Sequence, residues 1–250
     1  MSRDPAKPED SKEKLLNVQI WRGDSSGGDW RNYEVPARPN QTVLDVVTWI
    51  QRHLEPSLSY RFACRVGVCG SCAMTVNGEP RWTCRTHVNS VNQDHGLRIA
   101  PLRNLPVVRD LVCDMAPFFD RWQEAGGEFV AESDRKAPIA SVSPASPARQ
   151  LVDKAIECIN CGVCYAACDV VSWQPGYLGP AALNRAWSLV NDERDQGNRE
   201  RLGAVSGDAG CHNCHSQYNC TRYCPNLLDP GASIAGLKRV TMKAALKGQL

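Results

Sequence analysis

The 250-residue chain has no apolar run approaching the roughly eighteen residues that a membrane-spanning helix requires, so no span is expected. Its opening residues, MSRDPAKPEDSKEK, are polar and acidic in part and lack the apolar stretch of a secretory leader, which points to the cytoplasm. A dominant charge is lacking too. The formal net charge is +2, and Lys and Arg are scattered rather than gathered on one element, so nothing favours nucleic-acid binding. Cysteine, by contrast, is abundant at thirteen residues. In a small secreted domain that number would suggest disulfides. Clustered two and three residues apart in a leaderless chain, it points to metal thiolates in a reducing compartment.

All but Cys113 and Cys211 fall into three blocks. The first is Cys64-x4-Cys69-x2-Cys72-x11-Cys84, the spacing of a plant-type [2Fe-2S] site, in which Gly67 and Gly70 permit the tight backbone that wraps such a cluster. Zinc, the alternative, prefers two separated pairs. The second block, Cys158-x2-Cys161-x2-Cys164-x3-Cys168, has bacterial ferredoxin spacing, where three cysteines hold one [4Fe-4S] cluster and the fourth serves another. The third, Cys214-x5-Cys220-x3-Cys224-Pro225, supplies the reciprocal partner. Cys158, Cys161, Cys164 and Cys224 are then one ligand set, and Cys168, Cys214 and Cys220 the other. In the second set Gln217 stands where the internal repeat expects a further thiolate, and an amide is a poor ligand for iron. Three ligands and a vacant corner imply [3Fe-4S], with a potential above that of its neighbour. Cys113 reads as a small buried apolar residue. Cys211 is either packing or the missing ligand.

Strands are expected at 15–22 and 31–35, a helix capped by Thr42 with Asp45 and carrying Val43, Val47 and Ile50 inward, and a hairpin of 73–76 and 81–84 about Asn77-Gly78. Leu97 to Ala100 reads as a closing strand. Pro106 is expected to open a helix, since Val108, Leu111, Val112, Met115 and Phe119 recur at helical spacing. Residues 126–150, rich in Ala, Ser and Pro, read as a linker, beyond which helices begin at Gly179-Pro180 and near Ala232. The expected class is α+β: a β-grasp plant-type ferredoxin domain at 14–125, then a mostly α-helical two-cluster ferredoxin domain at 151–247.

With these residues assigned, the chain resembles the iron-sulfur subunit of the succinate dehydrogenase and fumarate reductase family. The resemblance is carried by Cys64-Arg-Val-Gly-Val-Cys69-Gly-Ser-Cys72-Ala-Met, by Pro101-Leu through Arg109-Asp110-Leu111-Val112, and by Cys158-Ile-x-Cys161-Gly. It implies a partner flavoprotein subunit bearing FAD, one or more transmembrane anchor subunits, and a peripheral place on the cytoplasmic face of the bacterial inner membrane. It also implies a quinone site in which Trp173 and His215 take part. An indole N–H suits a quinone carbonyl and an imidazole suits proton relay, although packing for Trp173 and a supporting bond near the cluster for His215 are the plainer roles. Asp169 departs from the proline common after the fourth cysteine of the second block and is a candidate for the quinone pocket. Arg61, Arg65 and Arg85 either tune and dock the first centre or are solvated surface charge. The resemblance implies electron transfer from succinate to quinone, with no catalytic residue of its own. The same ligands serve fumarate reduction, and a free-standing ferredoxin-type carrier is the rival reading.

Overall fold

In the computed structural model, which describes residues 14–91, 96–131, 136 and 138–250, a β-sheet half precedes a helical half. The polar start, residues 1–13, lies outside the described residues.

Strand β1 (Leu15–Asp24) buries Leu16, Val18 and Ile20 on one face by period-two alternation, and β2 (Gly27–Pro36) returns antiparallel beside it. Helix α1 (Val43–His53) starts at a complete capping box: Thr42 Oγ1 accepts from the Asp45 N–H, and the Asp45 carboxylate accepts from the Thr42 N–H at 3.0 Å. Its Val43, Val46, Val47 and Ile50 pack with Ile20, Val35, Met74, Val76 and Ile99 from the sheet. Strands β3 (Ala73–Val76) and β4 (Glu79–Trp82) turn at Asn77 and Gly78, both with positive φ, as a tight two-residue hairpin requires. After α2 (Val88–Val91), β5 (Leu97–Ala100) enters between β1 and β3, parallel to β1, in the order β2-β1-β5-β3-β4. The expected closing strand is therefore central.

The helix expected from Pro106 does not form there. Strands β6 (Val107–Arg109) and β7 (Val112–Cys113) pair antiparallel instead, and α3 begins only at Ala116, running to Glu124. Two causes are visible. The β-branched Val107, Val108 and Val112 favour extended backbone, and Asp110 takes a left-handed φ of 51°. That turn buries the Asp110 carboxylate, which accepts from Arg22 Nε at 2.8 Å, from the Gly23 N–H at 3.1 Å and from the Ser59 N–H at 2.9 Å. Cys113 therefore lies on a strand, buried as expected, with its thiol on the Leu102 carbonyl.

The helical half comprises α4 (Pro147–Ile156), α5 (Val163–Ala166), α6 (Asp169–Trp173), α7 (Pro180–Val190), α8 (Asn198–Ser206), α9 (Asn219–Arg222) and α10 (Pro230–Leu246). Asp229 caps α10 by accepting from the Ala232 N–H at 2.9 Å. The core of this half runs into the first: Leu183, Leu237 and Tyr177 belong to one apolar cluster with Leu102, Leu105, Phe118 and Trp82. Of the stretch read as a linker, Gly126 and Glu128 accept through their carbonyls from Arg201, and the Val130 N–H donates to Asp195. Those residues are tied to the helical half.

Arg201 and Asp195 form a buried ion pair at 2.6 Å. Burial raises the Asp195 carboxyl, but bonds from Arg201 and from the N–H groups of Val130 and Gly197 outweigh it and hold the group below its ordinary range. The stability this contributes is present above the unfolded Asp value of about 3.9 and lost as pH falls through the lower folded value. Asp195→Ala leaves Arg201 buried and unpaired, with an expected cost of about 3–5 kcal/mol. A lowered unfolding midpoint of the cluster-loaded protein at neutral pH, with the difference from wild type narrowing in acid, checks both statements.

Candidate metal centres

The first three cysteines of the first block, Cys64, Cys69 and Cys72, lie on the irregular loop between α1 and β3, and Cys84 follows β4. Three left-handed residues, Arg65, Gly67 and Gly70, fold the loop over itself. The glycine requirement is steric as well: a Cβ on Gly70 would fall 2.4 Å from Cβ of Cys161 in the helical half. Folded this way, the loop aims the N–H groups of Val66, Val68 and Cys69 at Cys64 Sγ, at 3.4, 3.3 and 3.4 Å. Those donors bring the Cys64 thiol down to about 6. Cys84 is pushed up to about 11, first by burial and then by Cys72, while the Gly67 N–H opposes the rise. Thr83 Oγ1 donates to the Cys72 carbonyl at 2.8 Å, which ties the loop to the segment carrying Cys84. All four cysteines of the block are thus brought together, with Cys72 and Cys84 buried and Cys69 exposed.

The second and third blocks interleave. Cys158, Cys161, Cys164 and Cys224 line one cavity. Cys161 is pushed up to about 11 by burial, with Cys158 and Cys224 adding to the rise. Cys164 is raised by burial and by Cys158, Cys161, Cys220 and Cys224. Around Cys220 the neighbours differ: burial, then Cys168 and Cys214, push it up to about 12. The grouping of thiols in space therefore follows the crossed pairing of the spacings. Set Cys224 on Cys168, and Gln217 falls on Cys161; Gln217 is exposed on an irregular segment between Ser216 and Tyr218, both of positive φ. Cys211 is fully buried, with its sulfur toward Thr241 Oγ1 at 3.8 Å.

Crowded thiols with pKa values raised by burial suit a site whose sulfurs are thiolates on a cation, since a metal removes the cost of burying the charge. A second observation agrees. Trp82 Nε1 and Tyr177 OH are buried donors without a hydrogen-bond partner among the described residues. Trp82 lines the cavity of Cys158, Cys161, Cys164 and Cys224, and Tyr177 is raised by burial and by Cys214, Cys168 and Cys220. Orphan donors facing cysteine sulfur fit a sulfur-rich cofactor.

Residues 17–120 match the family model for a 2Fe-2S iron-sulfur cluster binding domain, and residues 154–228 match that for a 4Fe-4S dicluster domain. The chain is 36% identical over 204 residues to the fumarate reductase iron-sulfur subunit of Escherichia coli O6:H1, covering 81% of this chain and 82% of that one. It is 32% identical over 235 residues to the mitochondrial succinate dehydrogenase [ubiquinone] iron-sulfur subunit 1 of Oryza sativa, covering 92% and 83%. The chain belongs to the succinate dehydrogenase and fumarate reductase iron-sulfur subunits. A chain of the Mycobacterium smegmatis Sdh1 complex in the apo form superimposes with a TM-score of 0.82 at 25% identity, covering 92% and 96%. The α+β fold, a 2Fe-2S ferredoxin-like β domain followed by a helical 4Fe-4S domain, is that of the family. This is the non-catalytic, electron-transferring component of an enzyme complex, with 2Fe-2S and 4Fe-4S clusters as cofactors. Among the described residues no helix is long and apolar enough to cross a membrane.

Trp173 and His215 stand edge to face with ring centroids 6.1 Å apart, and Trp173 is 63% exposed. Asp169 is held in an ion pair by Arg103 at 3.2 Å, at the start of α6. Of the arginines near the first block, Arg65 pairs with Asp45 and Arg61 donates to the Cys113 carbonyl. Sequence reasoning missed Lys238, whose Nζ donates to the Cys214 carbonyl at 2.7 Å, beside His215. No linear spacing relates that lysine to the cysteines; its being a half-buried base on α10 is visible only in the fold.

Proposed function

We propose that this subunit carries electrons singly between the flavin of a partner flavoprotein and a membrane quinone, in the direction of succinate oxidation. Cys64, Cys69, Cys72 and Cys84 would hold [2Fe-2S], Cys158, Cys161, Cys164 and Cys224 [4Fe-4S], and Cys168, Cys214 and Cys220 [3Fe-4S]. When bound, such clusters supply one-electron redox chemistry, with potentials set by cluster type, charge and hydrogen bonds to sulfur. The observation that carries the reading is the abutment of the thiol groups in sequence: Gly70 of the first loop rests on Cys161, and Cys164 feels Cys220 of the third group. The protein's part is to hold these donors close and largely dry.

The two ends suit different partners. Around the first loop Val66 and Val68 are exposed beside Arg85, an apolar and basic rim suited to the flavoprotein. Trp173 offers an indole N–H and His215 an imidazole to a quinone, with Asp169 one turn before Trp173 on α6. Met242, Leu246, Arg239, Lys243 and Lys247 are exposed on the outer face of α10, a mixture suited to anchor subunits and the cytoplasmic membrane surface. Replacing Trp173 by Phe or His215 by Ala is expected to lower quinone reduction by the assembled complex about tenfold or more, the effect of losing one donor or relay. Succinate oxidation by an artificial acceptor that takes electrons upstream should change little. Equal loss in both assays would contradict the quinone role. Fumarate reduction is the second reading, favoured by the 36% identity to a fumarate reductase subunit. Titration of the three centres against the native quinone separates the directions.

A further inference from the structure

Trp82 belongs to the β-sheet half, at the end of β4 and two residues before Cys84, yet its side chain lines the cavity of the second thiol group. It is 6% exposed. The benzene edge of the indole lies against the first cluster loop: a Cβ built on Gly67 would meet Cε3 and Cζ3 of Trp82 at 3.3 Å. The pyrrole edge carries Nε1, a buried donor without a partner among the described residues. Few acceptors are within its reach. The cavity it enters is bordered by Cys158, Cys161, Cys164 and Cys224.

We propose that Trp82 is a positioning residue acting across the two halves: its indole N–H donates to a cysteine sulfur bordering this cavity once the cluster is bound, and raises the reduction potential of the four-iron centre from the two-iron domain. This rests on the assignment of Cys158, Cys161, Cys164 and Cys224 as ligands of that centre. A donor to a ligand sulfur stabilises the more negative, reduced state, so its presence makes reduction easier. A buried N–H whose alternative is no bond at all has the full cost of desolvation to recover, which favours the contact over solvent. The same side chain lies between Gly67 of the first loop and the second thiol group, so the donor is delivered to that group only with the halves docked as they are here.

The test is the Trp82→Phe variant of the assembled complex, because phenylalanine keeps the ring against Gly67 and removes the N–H. An unchanged thermal unfolding midpoint, within a few degrees, shows that the packing survives. In a redox titration followed by electron paramagnetic resonance, the four-iron centre of the variant is expected to shift about fivefold toward the oxidised form, the worth of one net hydrogen bond. That fold-change is about 40 mV at 59 mV per decade for one electron. The two-iron potential stays where it is. In pulsed measurements on the reduced four-iron centre, an exchangeable proton coupling present in wild type is expected to vanish. Unchanged four-iron potential and coupling would overturn the proposal, as would equal shifts of both centres, which would reduce Trp82 to packing. If instead a Cys161→Ser variant leaves the wild-type four-iron signal untouched, the ligand assignment fails, a result distinguishable from failure of the tryptophan.

Discussion

Cys69→Ala is expected to remove the two-iron signal and to abolish succinate-to-quinone turnover in the assembled complex. Cys69 is not an isolated thiol. Its sulfur accepts from the Cys64 N–H at 3.5 Å and stands 3.1 Å from Ser71 Oγ, while its own N–H donates to Cys64 Sγ. Alanine removes one of four thiolates and leaves no ready replacement, since Ser71 offers only a hydroxyl and Cys113, the other thiol of this half, is held on the Leu102 carbonyl. The loss should be confined to the first centre. The four-iron and three-iron signals should persist, because their cysteines all lie beyond α4, in the helical half. An intact two-iron signal in the variant would show that the ligand assignment is wrong.

Gln217→Cys should have the second large effect. Gln217 occupies the place that Cys161 holds in the preceding repeat, three residues from Cys214 and three from Cys220. Ser216 and Tyr218 already take left-handed φ of 56° and 61°, so the segment is bent in the manner of the cluster loops rather than helical. A thiolate there can complete a four-iron set. The added negative charge and changed cluster type should lower the potential of the last centre, making delivery to quinone uphill. Turnover should fall while every centre remains present, and the three-iron signal should give way to a second four-iron one. A variant that keeps its three-iron signal and full turnover would contradict the vacant-corner reading of Gln217.

What the sequence discloses is local. The capping box at Thr42 and Asp45, the Asn77-Gly78 turn and the inward faces of β1 and α1 are set by residues a few positions apart, and they stand where the pattern puts them. Cysteine spacing is local in the same sense, and the crossed grouping about Cys164 and Cys220 follows it. The segment after Pro106 misleads because Val108, Leu111, Val112 and Met115 fit a helical period equally well. What decides against a helix is distant: Arg22 and Ser59 draw Asp110 into a left-handed turn. For the same reason the central position of β5, the entry of Trp82 into the cavity of the second thiol group and the reach of Lys238 to Cys214 are illegible in the sequence, since each joins residues that only the tertiary fold makes neighbours.

The central claim is that three sets of thiols hold a two-iron, a four-iron and a three-iron centre. Electron paramagnetic resonance of the wild-type complex, first oxidised and then reduced stepwise, tests it most directly. The expected result is a three-iron signal in the oxidised sample that disappears first on reduction, followed by the separate appearance of two-iron and four-iron signals. Two four-iron centres with no oxidised three-iron signal would contradict the account and make Cys211, now seen against Thr241, the leading candidate for the additional ligand.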